Sequence, residues 1–302
     1  MNYELAVKNI RRELKAYIQK NKIKSLIIGI SGGMDSCLCA ALAKPVCDEL
    51  NIPLIGRSLP ISTNTQDEIN RAKLTGNVFC TNFREDNLAT YYNALSVLNT
   101  DPSYEYIEAV DKLNLSDKDN DKAWKIRCGN MKARIRMIYL YNLASLNQGM
   151  VLSTDNFTEY LLGFWTLHGD VGDYGMIQEL WKSEVYDMAE YLTKEEYNSK
   201  NRNAYEALMF TIRAMATDGL GVTSKGDLGQ IMPEFEGSSR DGYKEVDDKL
   251  KAWKLLFDEA AKTPKVIKAM IVMSAHPVIE RHLNSQFKRN NPVNIPRNLI
   301  IQ

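Results

Sequence analysis

The stretch SLIIGISGGMDS, residues 25–36, joins an apolar run to a turn with two adjacent glycines. The run at 25–30 reads as a short strand covered on both faces, as strands inside parallel sheets are. Residues 37–50 are rich in Ala and Leu and read as a helix, with Pro45 expected to kink or divide it. Strand, glycine turn and helix in that order make a phosphate cradle. Gly32 and Gly33 let backbone N–H groups approach an anion closely, and the positive end of the following helix favours its charge. Gly29 belongs to the same cradle, and Ser31 and Ser36 add hydroxyl donors. Asp35 would repel a polyphosphate unless a cation lay between them. Its presence implies Mg²⁺, an ion held by few carboxylates together with phosphate oxygens. No Gly-Lys-Ser/Thr follows, which excludes the kinase-type P-loop. The plainer alternative is a tight Gly-Gly turn capped by Asp and Ser.

On the N-terminal side, residues 5–19 place Leu5, Ile10, Leu14 and Ile18 on one side at helical spacing. On the C-terminal side, residues 52–59 and 77–82 read as second and third strands, with a helix at 65–74 between them. A helix at 124–147 uses Ile135, Ile138 and Leu143 as its apolar side. A buried strand at 149–153 and a helix at 183–192 follow, and the last helices cover 243–261 and 264–274. Alternating strands and helices predict an α/β fold, a doubly wound, mostly parallel sheet flanked by helices. Its loops after the strands share one edge, where ligands collect. One domain over residues 1–302 is expected, with polar mobile flaps at 99–121 and 217–242. Asp117, Asp119 and Asp121 invite a calcium-loop reading. Lys122 where glycine is needed and Cys128 where a bidentate glutamate is needed exclude it.

The chain's 38 basic residues balance 38 acidic ones, which gives no support to a nucleic-acid or membrane-surface protein. No secretory leader and no stretch of about 20 apolar residues is present, so a cytoplasmic protein is expected. The five cysteines, Cys37, Cys39, Cys47, Cys80 and Cys128, form no CxxC pair and no zinc pattern, and read as reduced thiols.

The Ser-Gly-Gly-Met-Asp-Ser loop resembles the signature of the pyrophosphate-releasing ATP enzymes, which share an adenine-nucleotide-binding α/β fold and cleave ATP between its α and β phosphates. Three later segments resemble one member family, the ammonia-using NAD synthetases. Residues 129–137, GNMKARIRM, are similar to that family's Asn-x-Lys-Ala-Arg-x-Arg helix, and the match implies that Arg134 contacts the dinucleotide. Residues 152–170 are similar to its Gly-Thr-Asp…Glu…Gly-Phe-Phe-Thr…Gly-Asp stretch. That match implies Thr154 at ATP, Glu159 with Asp35 on Mg²⁺, and, with a one-residue slip, Asp173 at the nicotinate end. Residues 180–192 resemble the helix whose lysine, here Lys182, reaches the ATP phosphates, and Lys288 in FKRNNP matches a dinucleotide contact. Four positions depart from the family pattern: Leu167 for a substrate lysine, Phe287 for a histidine, Lys225 for an ATP-contacting threonine and Ser58 for an arginine.

The resemblance implies ATP-dependent amidation of deamido-NAD by ammonia through an adenylated intermediate, with Asp173 and Lys182 as catalytic residues. It also implies a homodimer that builds the dinucleotide site across its interface. With no amidase domain ahead of the loop, free ammonia is the expected nitrogen donor. The competing expectations are another enzyme of the same superfamily with a different acceptor, and a nucleotide-binding relative without catalysis.

Overall fold

In the computed structural model, which describes residues 1–62, 64–98, 117–198, 200–217, 226–258 and 263–290, five parallel strands form one sheet in the order β3-β2-β1-β4-β5. They are β1 Ser25–Gly29, β2 Leu54–Ser58, β3 Asn82–Glu85, β4 Gly149–Ser153 and β5 Tyr174–Gly175. β1 pairs with β2 on one side and β4 on the other, so Leu26 has both Leu54 and Met150 as neighbours. The chain winds outward from β1 through β2 to β3, then returns to begin again at β4. The switch point therefore lies between the C-terminal ends of β1 and β4, where this class of sheet opens a crevice. The glycine turn follows the first of these ends and Thr154 the second.

Alternation along β1 builds two cores. Leu26, Ile28 and Ile30 face the larger one, packed by α1 (Tyr3–Asn21), α2 (Met34–Leu50), α7 (Lys182–Tyr191) and α8 (Arg202–Arg213). Ile27 turns the other way with Ile55 and Val151, against Leu140, Leu143 and Ala144 of α5 (Asp117–Leu146). The remaining α-helices among the described residues are α3 (Gln66–Phe79), α4 (Ala89–Leu98), α6 (Phe157–Leu162), α9 (Leu228–Ile231), α10 (Ser239–Asp258), α11 (Pro264–Ser274), α12 (Pro277–Asn284) and α13 (Gln286–Arg289), and a π-helical turn, Leu192–Tyr197, continues α7.

Pro45 neither divides nor stops α2, which runs unbroken to Leu50. Proline has no N–H to offer the carbonyl four residues back, that of Ala41. Arg11 of α1 supplies the missing donor at 3.3 Å and also bonds the Leu42 carbonyl, while Glu196 holds its guanidinium at 2.7 and 2.9 Å.

Several expected boundaries move. The third strand lies at Asn82–Glu85, because α3 runs on to Phe79, into the segment read as a strand, and anchors itself with buried Ala72, Thr75 and Phe79. α5 starts at Asp117, seven residues before the expected Trp124, so the end of the presumed first flap is helical. Leu5 and Ile138, expected on apolar sides, are 52% and 60% exposed, and Val7 and Ile135 take the inward positions. β5 and the helices α4, α6, α8, α9, α12 and α13 have no counterpart among the elements expected from sequence. Most of the 99–121 flap lies outside the described residues, as do Lys225 and Pro292. All five cysteines are free thiols. No helix among the described residues is long and apolar enough to cross a membrane.

Candidate active site

The turn after β1 is held in shape by its own side chains. Gly32 has φ +84°, and a Cβ there would stand 2.2 Å from the Glu68 carbonyl oxygen, so only glycine fits. The Ser31 and Ser36 hydroxyls lie 3.1 Å apart. Ser31 Oγ accepts from the Gly33 N–H at 3.2 Å, and Ser36 Oγ accepts from the Ser31 N–H at 3.3 Å. Two amides of the cradle are thus turned toward oxygen acceptors, the arrangement an anion would use. Arg71 of α3 braces the turn by donating to the Gly32 carbonyl at 2.9 Å.

The turn and the end of β4 open onto one cleft of about 570 Å³, lined by Gly29, Ser31, Gly33, Asp35, Thr154, Glu159 and Lys182. Asp35 stands in the first turn of α2, Glu159 in the first turn of α6, and Lys182 opens α7. These three segments meet at the Lys182 ammonium, which donates to Asp35 Oδ2 and, at 2.8 Å, to Glu159 Oε1. Asn156 ties the two acids together: its Nδ2 donates to Asp35 Oδ1 at 2.9 Å, and its Oδ1 caps α6 by accepting the Glu159 N–H at 3.0 Å. Lys182 exposes only 2% of its surface. Burial works against its charge, but the Asp35 and Glu159 carboxylates outweigh that and hold its pKa well above the usual lysine value. Burial and the adjacent Asp35 charge push the Glu159 carboxyl up to about 7, against the bonds from Lys182 and Asn156.

Further charged groups line the same cleft. Asp155 follows Thr154, and burial together with the Asp170 and Glu159 charges drives its carboxyl well above the usual range. Asp170 is also pushed up by burial, opposed by the bond from the Thr166 N–H at 2.8 Å and by Arg136. Lys132 and Arg136, four apart on α5, both turn inward. Lys132 sets its ammonium 5.1 Å from the Tyr92 ring centre, and Arg136 donates to the Leu59 carbonyl and to Asn64 Oδ1. The sequence reading missed Asn156, Asp155, Asp170 and Arg71. An Asn directly after Thr-Asp and before an apolar run is a helix-cap signal, and it was available for Asn156.

Three residues expected at the dinucleotide stand apart from this cluster. Arg134 is exposed, does not line the cleft, and donates to the Leu167 carbonyl at 3.2 Å. Asp173 extends the β4 edge, its backbone N–H donating to the Val151 carbonyl and its Oδ2 accepting the Val151 N–H at 2.8 Å. Lys288 does line the cleft, but its ammonium is taken up by the Gly163 and Trp165 carbonyls beyond the end of α6. Arg281, His282 and Arg289 hold the Leu161 and Leu162 carbonyls in the same way, so the tail helices clamp the C-terminal end of α6.

Residues 6–198 match the family model described as NAD synthase. A curated relative named NH(3)-dependent NAD(+) synthetase, from Finegoldia magna, is 30% identical over 193 residues, which cover 64% of this chain and 70% of that one. One of the same name from Mycoplasma genitalium is 28% identical over 265 residues, 87% of this chain and 89% of the relative. Coverage is shorter for the Campylobacter jejuni relative, of which the match spans 63%. Among solved structures, an NMN synthetase from Francisella tularensis superposes with a TM-score of 0.67 at 20% identity, over 98% of this chain and 99% of that one, a likeness of fold.

Proposed function

The chain belongs to the NAD synthase family, and from that premise we propose that it is an ammonia-dependent ligase that converts deamido-NAD to NAD at the expense of ATP. The observation that carries the reading is the meeting of Asp35, Glu159 and Lys182 beside the glycine turn in one cleft. In the first step a nicotinate oxygen attacks the α-phosphorus of ATP, the bond to the bridging oxygen breaks, and pyrophosphate leaves. Ammonia then adds to the activated carbonyl carbon, a proton is lost, and AMP departs with the carboxylate oxygen. Adenylation is needed because a free carboxylate would have to expel oxide.

The protein's work in this scheme is positioning and charge neutralisation. The turn amides and the Ser31 and Ser36 hydroxyls would hold phosphate oxygens, and Thr154 would close the nucleotide site at the end of β4. Lys182, held positive by its two carboxylates, would carry charge on the departing pyrophosphate. Mg²⁺ fits Asp35 and Glu159 as its holders: both already share one cation, and a hard ion needs only one or two carboxylates when phosphate supplies the rest. When bound, it would screen the polyphosphate from those acids. Free ammonia is read as the donor because all three curated relatives carry it in their names.

Arg134 and Asp173, assigned to deamido-NAD, lie off the ATP cleft on and beside the outer side of α5. For them to meet the substrate, the dinucleotide must run over that side, and a homodimer formed there would cover it. Lys288 would join them by exchanging carbonyl partners for substrate. The five free thiols fit a reducing compartment, which supports a cytoplasmic enzyme.

The test is incubation with deamido-NAD, ATP, Mg²⁺ and ammonium, following NAD and pyrophosphate. Equal amounts of both are expected. Pyrophosphate with the deamido form of NMN, and none with deamido-NAD, would move the acceptor while leaving the ATP half of the site as read. Accumulation of ADP, or of neither product, would overturn the reading.

A further inference from the structure

The family match ends at residue 198, yet two buried side chains of α10 pack beside the cation cluster, Tyr243 against the Lys182 ammonium and Asp247 against the start of α7. Asp247 exposes none of its surface. Its Oδ1 accepts the Thr158 hydroxyl at 2.5 Å and its Oδ2 accepts the Ser183 N–H at 2.8 Å. Thr158 Oγ1 in turn accepts the Lys182 N–H at 2.8 Å. Both amides are first-turn donors of α7, which have no partner within their own helix. The residue before them, Trp181, has a side chain with no acceptor to offer. The cap that α7 lacks locally is thus delivered from α10. One turn earlier on the same face, Tyr243 is equally buried and lays its ring 5.4 Å from the Lys182 ammonium.

We propose that Asp247 is a positioning residue for the phosphate-binding lysine: through Thr158 and Ser183 it fixes the first turn of α7 and so the direction in which Lys182 is presented. A buried carboxylate is costly to desolvate, and an apolar residue would fill the space without that cost. The carboxylate instead provides two directed bonds on the one turn that carries Lys182, and its charge suits the positive end of α7. Asparagine in its place can keep the Ser183 bond with its oxygen, but its amide nitrogen then faces Thr158, whose hydroxyl hydrogen loses its acceptor, and the charge at the start of α7 is gone.

This inference rests on the reading of Lys182 given above, and the experiment separates the two. The affinity of the full chain for Mg²⁺ with α,β-methylene ATP is measured by calorimetry for the wild type, D247N, T158V, T158S, K182M and K182M/D247N, with thermal midpoints recorded alongside. D247N and T158V should each weaken binding about tenfold, and T158S should stay within about twofold. In the K182M background D247N should cost less than about twofold, because the lysine it serves is gone. An equal loss from D247N in both backgrounds, or no loss in the wild type, overturns the inference. If K182M itself binds the analogue as the wild type does, the reading of Lys182 fails instead. Should D247N not fold, T158V, which keeps the Asp247–Ser183 bond, takes its place in the cycle with K182M.

Discussion

The glycine turn is held mostly from within, by bonds among Ser31, Gly33 and Ser36 that span at most five residues, with one longer bond from Arg71 of α3, 39 residues away. The cation cluster facing it across the cleft is held by bonds spanning 23, 121 and 147 residues. The first needs only the strand before it and α3 packed against it. The second exists only when α2, α6 and α7 have all docked on the sheet. A ligand that needs both therefore reports on the whole fold, whereas an anion that needs only the turn does not.

The comparison breaks most severely at Gly32. In G32A the new methyl meets backbone at 2.2 Å at a residue with φ +84°, and neither can yield. A stability loss of about 3 kcal/mol or more and no measurable pyrophosphate release are expected, checked by thermal unfolding and a pyrophosphate assay. Next comes K182M, which should lower kcat by about 10²–10³-fold while the turn keeps its shape. Steady-state kinetics beside an unchanged circular dichroism spectrum would show the two halves separating, and a kcat within a few-fold of wild type would refute the assignment.

E159Q sharpens the comparison through pH. With its carboxyl pushed up to about 7, Glu159 gains its charge as pH rises through that value. Mg²⁺ affinity in the wild type should strengthen over the same range, and this dependence should flatten in E159Q. The sign for stability is opposite. Between the ordinary carboxylate range and about pH 7, the native state holds a proton that the unfolded chain has lost. The metal-free protein should therefore lose stability as pH rises across that window. Thermal midpoints against pH, with and without the substitution, check this. The smallest effect is expected from N156A, about 1–2 kcal/mol of stability and a few-fold rise in KM for ATP, from loss of the α6 cap and of the Asp35 tether together.

What could be read from the sequence follows the same division. β1, the turn and α2 were legible because strand burial, paired glycines and a helix rich in Ala and Leu are local signals. That Asp35, Glu159 and Lys182 belong together was not local: only family resemblance suggested it, and the docking of three helix starts produces it. The strand expected at 77–82 failed because Val78, Phe79 and Cys80 form a short apolar run, which periodicity alone cannot assign to helix or strand. Lys132 and Arg136 turn into the cleft together, as their spacing of four allows, while Arg134, two residues from each, points away. Nothing in the sequence marked Asp247, because its value depends on an amide 64 residues earlier and a hydroxyl 89 residues earlier.

Pro45 leaves α2 with an unmet carbonyl, and the repair comes from Arg11, a residue outside the helix. The opening helix is therefore a splint for the rod whose other end carries the nucleotide turn. A protein shortened to begin near Lys24 would lose more than apolar cover. Its α2 would bend at an unsupported joint three turns below the phosphate cradle, and damage at the far N-terminus would be felt as slack in the grip on ATP.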